Sequence, residues 1–187
     1  IISDLIDPSM SDPSWGQQWI DADAEATTVI DEILDNETLL QPAVARELGR
    51  RLPKDHLLYV SNSMAVRDVD SFLESRSDRL VVHGNRGASG IDGMISSAAG
   101  AAASGQPTTL LIGDLAFQHD LGGLVAAIND EPTLTIVVVE NQGGGIFGYL
   151  PISEVIDIGL FRQLFTTPQS LNIAEVVKAL GIEHIQI

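Results

Sequence analysis

Four short apolar runs recur along the chain, and each closes on a polar or glycine-rich stretch: HLLYVSN (56–62), RLVVHGN (79–85), TTLLIGD (108–114) and LTIVVVEN (134–141). Continuous Val, Ile and Leu runs of this length mark strands whose two faces are both covered by helices. MAVRDVDSFLES (64–75), IDGMISSAAGAAASG (91–105) and AFQHDLGGLVAAINDE (116–131) lie between them, and each is long enough for a crossover helix. ETLLQPAVARELGRRL (37–52) comes first, with Leu39, Leu40, Val44 and Leu48 on one helical face, Asn36 or Thr38 as its cap, and Pro42 in the first turn, where a missing N–H costs little. NIAEVVKALG (172–181) reads as an amphipathic helix and IEHIQI (182–187) as a fifth strand. This alternation predicts an α/β fold, a doubly wound parallel sheet with helices on both faces.

Residues 1–37 are acidic, hold Trp15 and Trp19, and show no sustained period. They read as tail and linker, with IISDLID a strand and PSMSDPSW a loop. The domain is expected to start at residue 38 and run to 187. The chain opens without Met and stops inside an apolar run, so it reads as a piece of a longer protein, cut within that domain at its C-terminus. No internal repeat stands out, and the Ala-rich stretch 96–104 reads as a helix packed close to the sheet.

A parallel sheet aligns its carboxyl ends on one rim, where ligand crevices of open α/β sheets lie. That rim would gather Ser63, Arg67, Arg86, Asp114 and Asn141. Asp after a strand is commonly a helix cap, and Asn before glycines is ordinary turn composition. Paired on neighbouring strands, however, Asp114 and Asn141 offer an anionic and a neutral oxygen to a hard cation such as Mg²⁺. Gly143, Gly144 and Gly145 would then turn the backbone tightly, offer carbonyls to the metal and present N–H groups to a phosphate. Glu140 should point to the opposite side of the strand from Asn141 and is not counted as a ligand. Gly143, Gly145 and Gly148 also spell G-x-G-x-x-G, but Pro151 follows closely and 162–169 holds no acid, so a nicotinamide fingerprint is the weaker reading.

A formal charge of -16 and a pI near 4.3 over 187 residues argue against nucleic acid as partner. The same field opposes anionic ligands, which local arginines and a metal must overcome. Arg67 and Arg86 are two of only ten basic residues, and their planar forks suit carboxylates. The absence of cysteine excludes disulfides and thiolate metal sites, and no apolar run is long enough for a bilayer; a cytoplasmic enzyme is the plain reading. His56, His83, His119 and His184 show no metal-ligand spacing, His119 alone being kept open as a neighbour of the site, and no G-x-S-x-G elbow supports hydrolase chemistry.

Gly113-Asp114, a crossover-length gap, then Asn141 and Gly143 resembles the metal and diphosphate motif of thiamine-diphosphate enzymes, with Leu115 in place of the motif's last glycine and Glu140 where a first Asn often stands. Together with SNSMAVRD (61–68) and NRGASGIDG (85–93), it resembles the 2-succinyl-5-enolpyruvyl-6-hydroxy-3-cyclohexene-1-carboxylate synthases of the menaquinone pathway, over roughly 39–187. The resemblance implies thiamine diphosphate with Mg²⁺ or Mn²⁺, the metal held by Asp114, Asn141 and the Gly143 carbonyl. Gly113, Leu115 and Gly144 would flank the cofactor, and Ile91 would prop thiamine in its bent form. Ser63, Arg67 and Arg86 would contact substrate, and Ile146, Phe147 and Leu150 would wall its pocket, core packing being about as good an account of these three. It further implies decarboxylation of 2-oxoglutarate, addition of the succinyl-semialdehyde unit to isochorismate, a homo-oligomer (dimer or tetramer), and an activating Glu in another domain of a partner subunit, so that residues 1–37 would end a central domain and this chain alone would be silent. An acetolactate-synthase-like enzyme and a non-catalytic nucleotide-binding module stay open as alternatives.

Overall fold

The computed structural model describes residues 13–36, 40–129 and 132–187. The chain divides into two compact units, Ile1–Ala43 and Val44–Ile187.

In the first unit, α1 (Pro13–Asn36) runs for 24 residues where a tail and linker are expected. Its apolar positions include Trp15, Trp19, Val29 and Ile33, all exposed, with the two indoles edge to face at 6.1 Å. Ala22 and Ala26 interrupt the larger side chains and six carboxylates share the helix, so the apolar period is faint in the sequence. The strand expected for IISDLID lies outside the described residues, as do Thr38 and Leu39. Asn36 ends α1 instead of capping the next helix, α2 (Gln41–Arg51).

The second unit continues as β1 (Leu57–Val60), α3 (Met64–Phe72), β2 (Val81–His83), α4 (Met94–Ala103), β3 (Thr108–Gly113), α5 (Asp114–His119), α6 (Leu121–Ile128) and β4 (Leu134–Val139). A 3₁₀ turn (Gly145–Tyr149), the short helices α7 (Ile152–Val155) and α8 (Ile158–Phe161), and α9 (Ile173–Ala179) follow. The strands form one parallel sheet in the order β2-β1-β3-β4, with Tyr59 beside His83, Val60 beside Leu111 and Gly113 beside Val139.

Side chains alternate across this sheet, as strand geometry requires. Leu57, Tyr59, Leu110 and Ile112 enter a cluster with Met94, Ile95, Phe117, Leu124, Ile173 and Val177, which belong to α4, α5, α6 and α9. Leu58, Val60 and Leu111 point the other way into a smaller cluster with Ala65, Val44, Leu48 and Val69, from α2 and α3. Both faces are thus covered, and each fully buried Leu or Ile contributes about 1.5–3 kcal/mol of burial.

Two sequence expectations change. The crossover before β4 is two helices, broken at Asp120, whose carboxylate takes the Ser96 amide at 2.8 Å and the Ser96 hydroxyl at 3.1 Å. A Cβ at Gly123 would lie 2.3 Å from that hydroxyl, so glycine is what lets α6 approach α4. IEHIQI is not a strand: Ile182 packs on the larger cluster, but Ile185 and Ile187 are exposed and no ladder forms, because alternation without a neighbouring backbone leaves its polar groups to water.

β1 and β3 are neighbours, but the chain leaves β1 toward β2 on one side and leaves β3 toward β4 on the other. The winding reverses between their carboxyl ends, which is where doubly wound sheets open a crevice.

Candidate functional site

The β1 end turns through Asn62 and Ser63 into α3. Asn62 is 4% exposed and binds in two directions. Its Nδ2 donates to the Asn85 carbonyl at 3.1 Å and the Gly90 carbonyl at 2.6 Å, and its Oδ1 accepts from Arg86 Nη1. Asn85 is fixed in turn by the Tyr59 hydroxyl, which donates to its Oδ1, and by Ser97 Oγ, 3.1 Å from its Nδ2. Ser63 is held at φ 68° and ψ -133°, a region that strains a residue with a Cβ. Its carbonyl accepts from Arg67 Nη1 at 2.7 Å. Both arginines are exposed, and their guanidinium groups are anchored on consecutive residues of the turn after β1.

Across the crevice, Asp114 opens α5. Its Oδ1 takes the Leu115 amide at 2.7 Å and its Oδ2 takes the Gly143 amide at 2.9 Å, tying the β3 end to the loop after β4. Asn141 lies against that loop, with its Nδ2 3.2 Å from where a Gly145 Cβ would be. The glycines are required by their neighbours. A Cβ at Gly143, whose φ is 128°, would sit 2.1 Å from the Thr166 carbonyl oxygen, and one at Gly144 would sit 2.8 Å from that of Phe165. Their N–H groups differ from expectation: Gly143 donates to Asp114, Gly144 to the Thr166 carbonyl at 2.8 Å, and Gly145 to the Gly143 carbonyl at 2.9 Å. Each amide therefore already has an acceptor within the chain, and none is left over for a phosphate in this arrangement. The Gly143 carbonyl keeps a second lone pair.

Of the remaining expected residues, Ile91 is half-buried on the larger cluster. Ile146 and Phe147 lie in the 3₁₀ turn, where Phe147 meets Phe165 edge-on at 5.8 Å and Phe165 stacks on Phe161 at 5.2 Å. Leu150 follows, 44% exposed. Glu140 and His119 are exposed, and among the described residues neither side chain bonds into the crevice. Among the described residues no three His, Asp or Glu side chains cluster as a metal site would require. A cation here would rest on one carboxylate, one amide and backbone oxygens.

The model described as thiamine pyrophosphate enzyme, C-terminal TPP binding domain, matches residues 63–187. This chain belongs to the thiamine pyrophosphate enzymes. It is 45% identical over 162 residues to the 2-succinyl-5-enolpyruvyl-6-hydroxy-3-cyclohexene-1-carboxylate synthase of Desulfitobacterium hafniense, an alignment covering 87% of this chain and 29% of that protein. To the synthase of the same name from Geobacillus kaustophilus it is 41% identical over 177 residues, covering 95% and 30%. The chain therefore spans under a third of the length of these relatives. Among solved structures, benzoylformate decarboxylase from Polynucleobacter necessarius superposes with a TM-score of 0.63 at 21% identity, over 82% of this chain and 29% of that one, which establishes a shared fold.

The rim suits the thiamine diphosphate that names the family. Each Asp114 oxygen is engaged by a single amide, which leaves lone pairs for a cation, and the set of carboxylate, amide and carbonyl oxygens is one a hard divalent ion takes. At Gly113 a Cβ would meet nothing within 4 Å, so the chain's own packing does not demand glycine there. Its glycine leaves room beside Asp114 for a bound group. Sequence reasoning placed the stretches that hold Asn62 and Asn85 on this rim but gave neither residue a role. Their position directly after strands was visible, but their partners are set by tertiary contacts.

Proposed function

We propose that this chain is the diphosphate-binding part of a synthase that decarboxylates 2-oxoglutarate and adds the resulting succinyl-semialdehyde unit to isochorismate, in menaquinone biosynthesis. The observation that carries the reading is the anchoring of two guanidinium groups on consecutive residues, Arg86 on the Asn62 side chain and Arg67 on the Ser63 carbonyl. Two forks at one turn suit substrates that bring several carboxylates. The names of the relatives support it.

In this reading residues 38–187 form the pyrophosphate-binding domain and 1–37 end a central domain. Thiamine diphosphate, when bound, supplies the carbanion-stabilising chemistry. Asp114, Asn141 and the Gly143 carbonyl would hold Mg²⁺ or Mn²⁺, and Gly113, Leu115, Gly144 and Ile91 would contact the cofactor. Arg67, Arg86 and Ser63 orient substrate carboxylates, while Ile146, Phe147 and Leu150 keep water from the reacting end. No acid or base of this chain takes part. The activating Glu comes from another domain of a partner subunit in a cytoplasmic homo-oligomer, a dimer or tetramer, and the chain alone is inactive.

The test is to assay the complete polypeptide that carries this chain with 2-oxoglutarate and isochorismate, and separately with pyruvate. Product from the first pair and none from pyruvate is expected. Condensation of pyruvate alone would move the chain to an acetolactate-synthase-type enzyme. Binding of nucleotide, unchanged in Asp114→Ala, would instead make it a nucleotide-binding module.

A further inference from the structure

We propose that Asn62 is the positioning residue of the substrate clamp: it sets the Arg86 guanidinium and the 85–90 loop as one unit, and through Arg86 it governs affinity for an anionic substrate. This rests on the reading of Arg86 as a carboxylate-binding residue.

Asn62 is buried, and its amide spans three groups that nothing else in the described residues joins: the Arg86 guanidinium, the Asn85 carbonyl and the Gly90 carbonyl. An amide is the side-chain group of this size that accepts from a cation on one end while donating twice from the other. Ser or Thr has too few donors, and Asp would turn a carboxylate oxygen against two carbonyls. The acceptor is also neutral. A carboxylate at this place would pair with the guanidinium and cancel the charge that draws a substrate anion, whereas an amide oxygen fixes the fork and leaves its charge free. The loop it holds is otherwise exposed at Arg86, Gly87, Ala88 and Ser89, so its inner edge supplies the order. Tyr59 and Ser97 brace Asn85 from the other side, and Ser89 reaches the Arg86 carbonyl, which leaves Asn62 as the contact made to the Arg86 guanidinium.

Asn62→Ala, Arg86→Ala and the double variant, made in the complete enzyme, test this with KM for each acid substrate and Kd for thiamine diphosphate. Asn62→Ala should raise KM for one acid about 10- to 100-fold, the scale of a hydrogen bond to a charged group, with thiamine diphosphate Kd unchanged. The same acid should be affected in Arg86→Ala, and the Asn62 effect should largely vanish in the Arg86→Ala background, because coupled residues are not additive. Full additivity, or an equal loss for both acids and cofactor, would overturn the proposal and leave Asn62 a structural residue. If Arg86→Ala moves neither KM, the reading of Arg86 fails, and the positioning role falls with it. Should Asn62→Ala not fold, Asn62→Asp, nearly isosteric, replaces it. It should bind thiamine diphosphate normally and lose affinity for the same acid, through neutralisation of Arg86 and through loss of the donors to the Asn85 and Gly90 carbonyls; native KM in that variant would refute the proposal.

Discussion

The Asp114 carboxylate accepts the Gly143 amide proton at 2.9 Å, joining the end of β3 to the loop after β4 across 29 positions of sequence. One oxygen thus does the work of a loop latch while its second lone pair remains available to a cation. Asp114→Asn keeps an acceptor for Gly143 and removes the charge, whereas Asp114→Ala removes both. Each is expected to weaken Mg²⁺-supported thiamine diphosphate binding by at least about a hundredfold, beyond the 10–100-fold cost of losing a ligand's supporting partner. Only Asp114→Ala should also loosen the loop. Calorimetry with and without chelator, paired with limited proteolysis of the 141–150 segment, separates the two effects.

Gly143 and Gly144 are fixed by backbone neighbours that cannot rotate away, the carbonyls of Thr166 and Phe165. Gly143→Ala adds a left-handed conformation to the clash and should cost about 3 kcal/mol, more than Gly144→Ala at about 1–3 kcal/mol. Thermal unfolding should register this as a Tm drop of about 2–4 °C per kcal/mol. Gly113→Ala, with no atom near its Cβ, should leave Tm in place and lower cofactor affinity instead. An unchanged affinity would show that the space beside Asp114 is not used.

Removing either rim arginine should cost about 1.5–3 kcal/mol in transition-state binding, a tenfold to hundredfold fall in kcat/KM. Arg to Lys should recover part of this, since an ammonium keeps the charge without the fork. Varying the two acids separately shows which arginine serves which. If both variants lose thiamine diphosphate while KM holds for both acids, the clamp lies elsewhere.

At the opposite end of β1, His56 stands with its Nε2 3.0 Å from Thr109 Oγ1, and burial pushes its pKa below the ordinary 6.5. The folded state therefore resists protonation more than the unfolded chain does. Stability from this site is full above about pH 6.5 and declines as pH falls from there toward the lower folded value, where the loss levels off. The urea midpoint of the protein should hold a constant offset from that of His56→Asn above about pH 6.5 and fall relative to it as pH drops below that value. Parallel midpoints across that range would exclude His56 as the source.

The central strands were legible because Leu57–Val60 and Thr108–Gly113 are buried on both sides, so their apolar runs are continuous. IEHIQI carried the same local signal as a strand and lacked the neighbour that would make it one. α1 went unseen for the reverse reason, a helix whose apolar side chains lie in the open and whose alanines blur the period. At the rim, Asp114 and the glycines were readable as a spaced pair of motifs. That the glycine amides turn inward, to Asp114 and Thr166, depends on a segment more than twenty residues downstream that no local pattern announces. Asn62 was hidden in the same way, since a polar residue after a strand looks alike whether it faces water or three partners.

The two faces of the sheet carry cores of different size, and the rim residues are divided between them. Ser63 caps α3 and Arg67 lies on it, over the smaller cluster, while Ile91 packs on the larger one and Asp114 opens α5, whose Ala116 and Phe117 belong to that cluster. Opening free energy follows buried apolar contact, so amide hydrogens of α3 are expected to exchange at a lower cost than those of β3 or α4. Half of the rim can then come undone while the other half stays whole. A ligand that touches both halves must first find them assembled, and once bound it raises the cost of the smaller opening toward that of global unfolding. Substrate would act on this chain as a missing piece of core, merging two folding units into one.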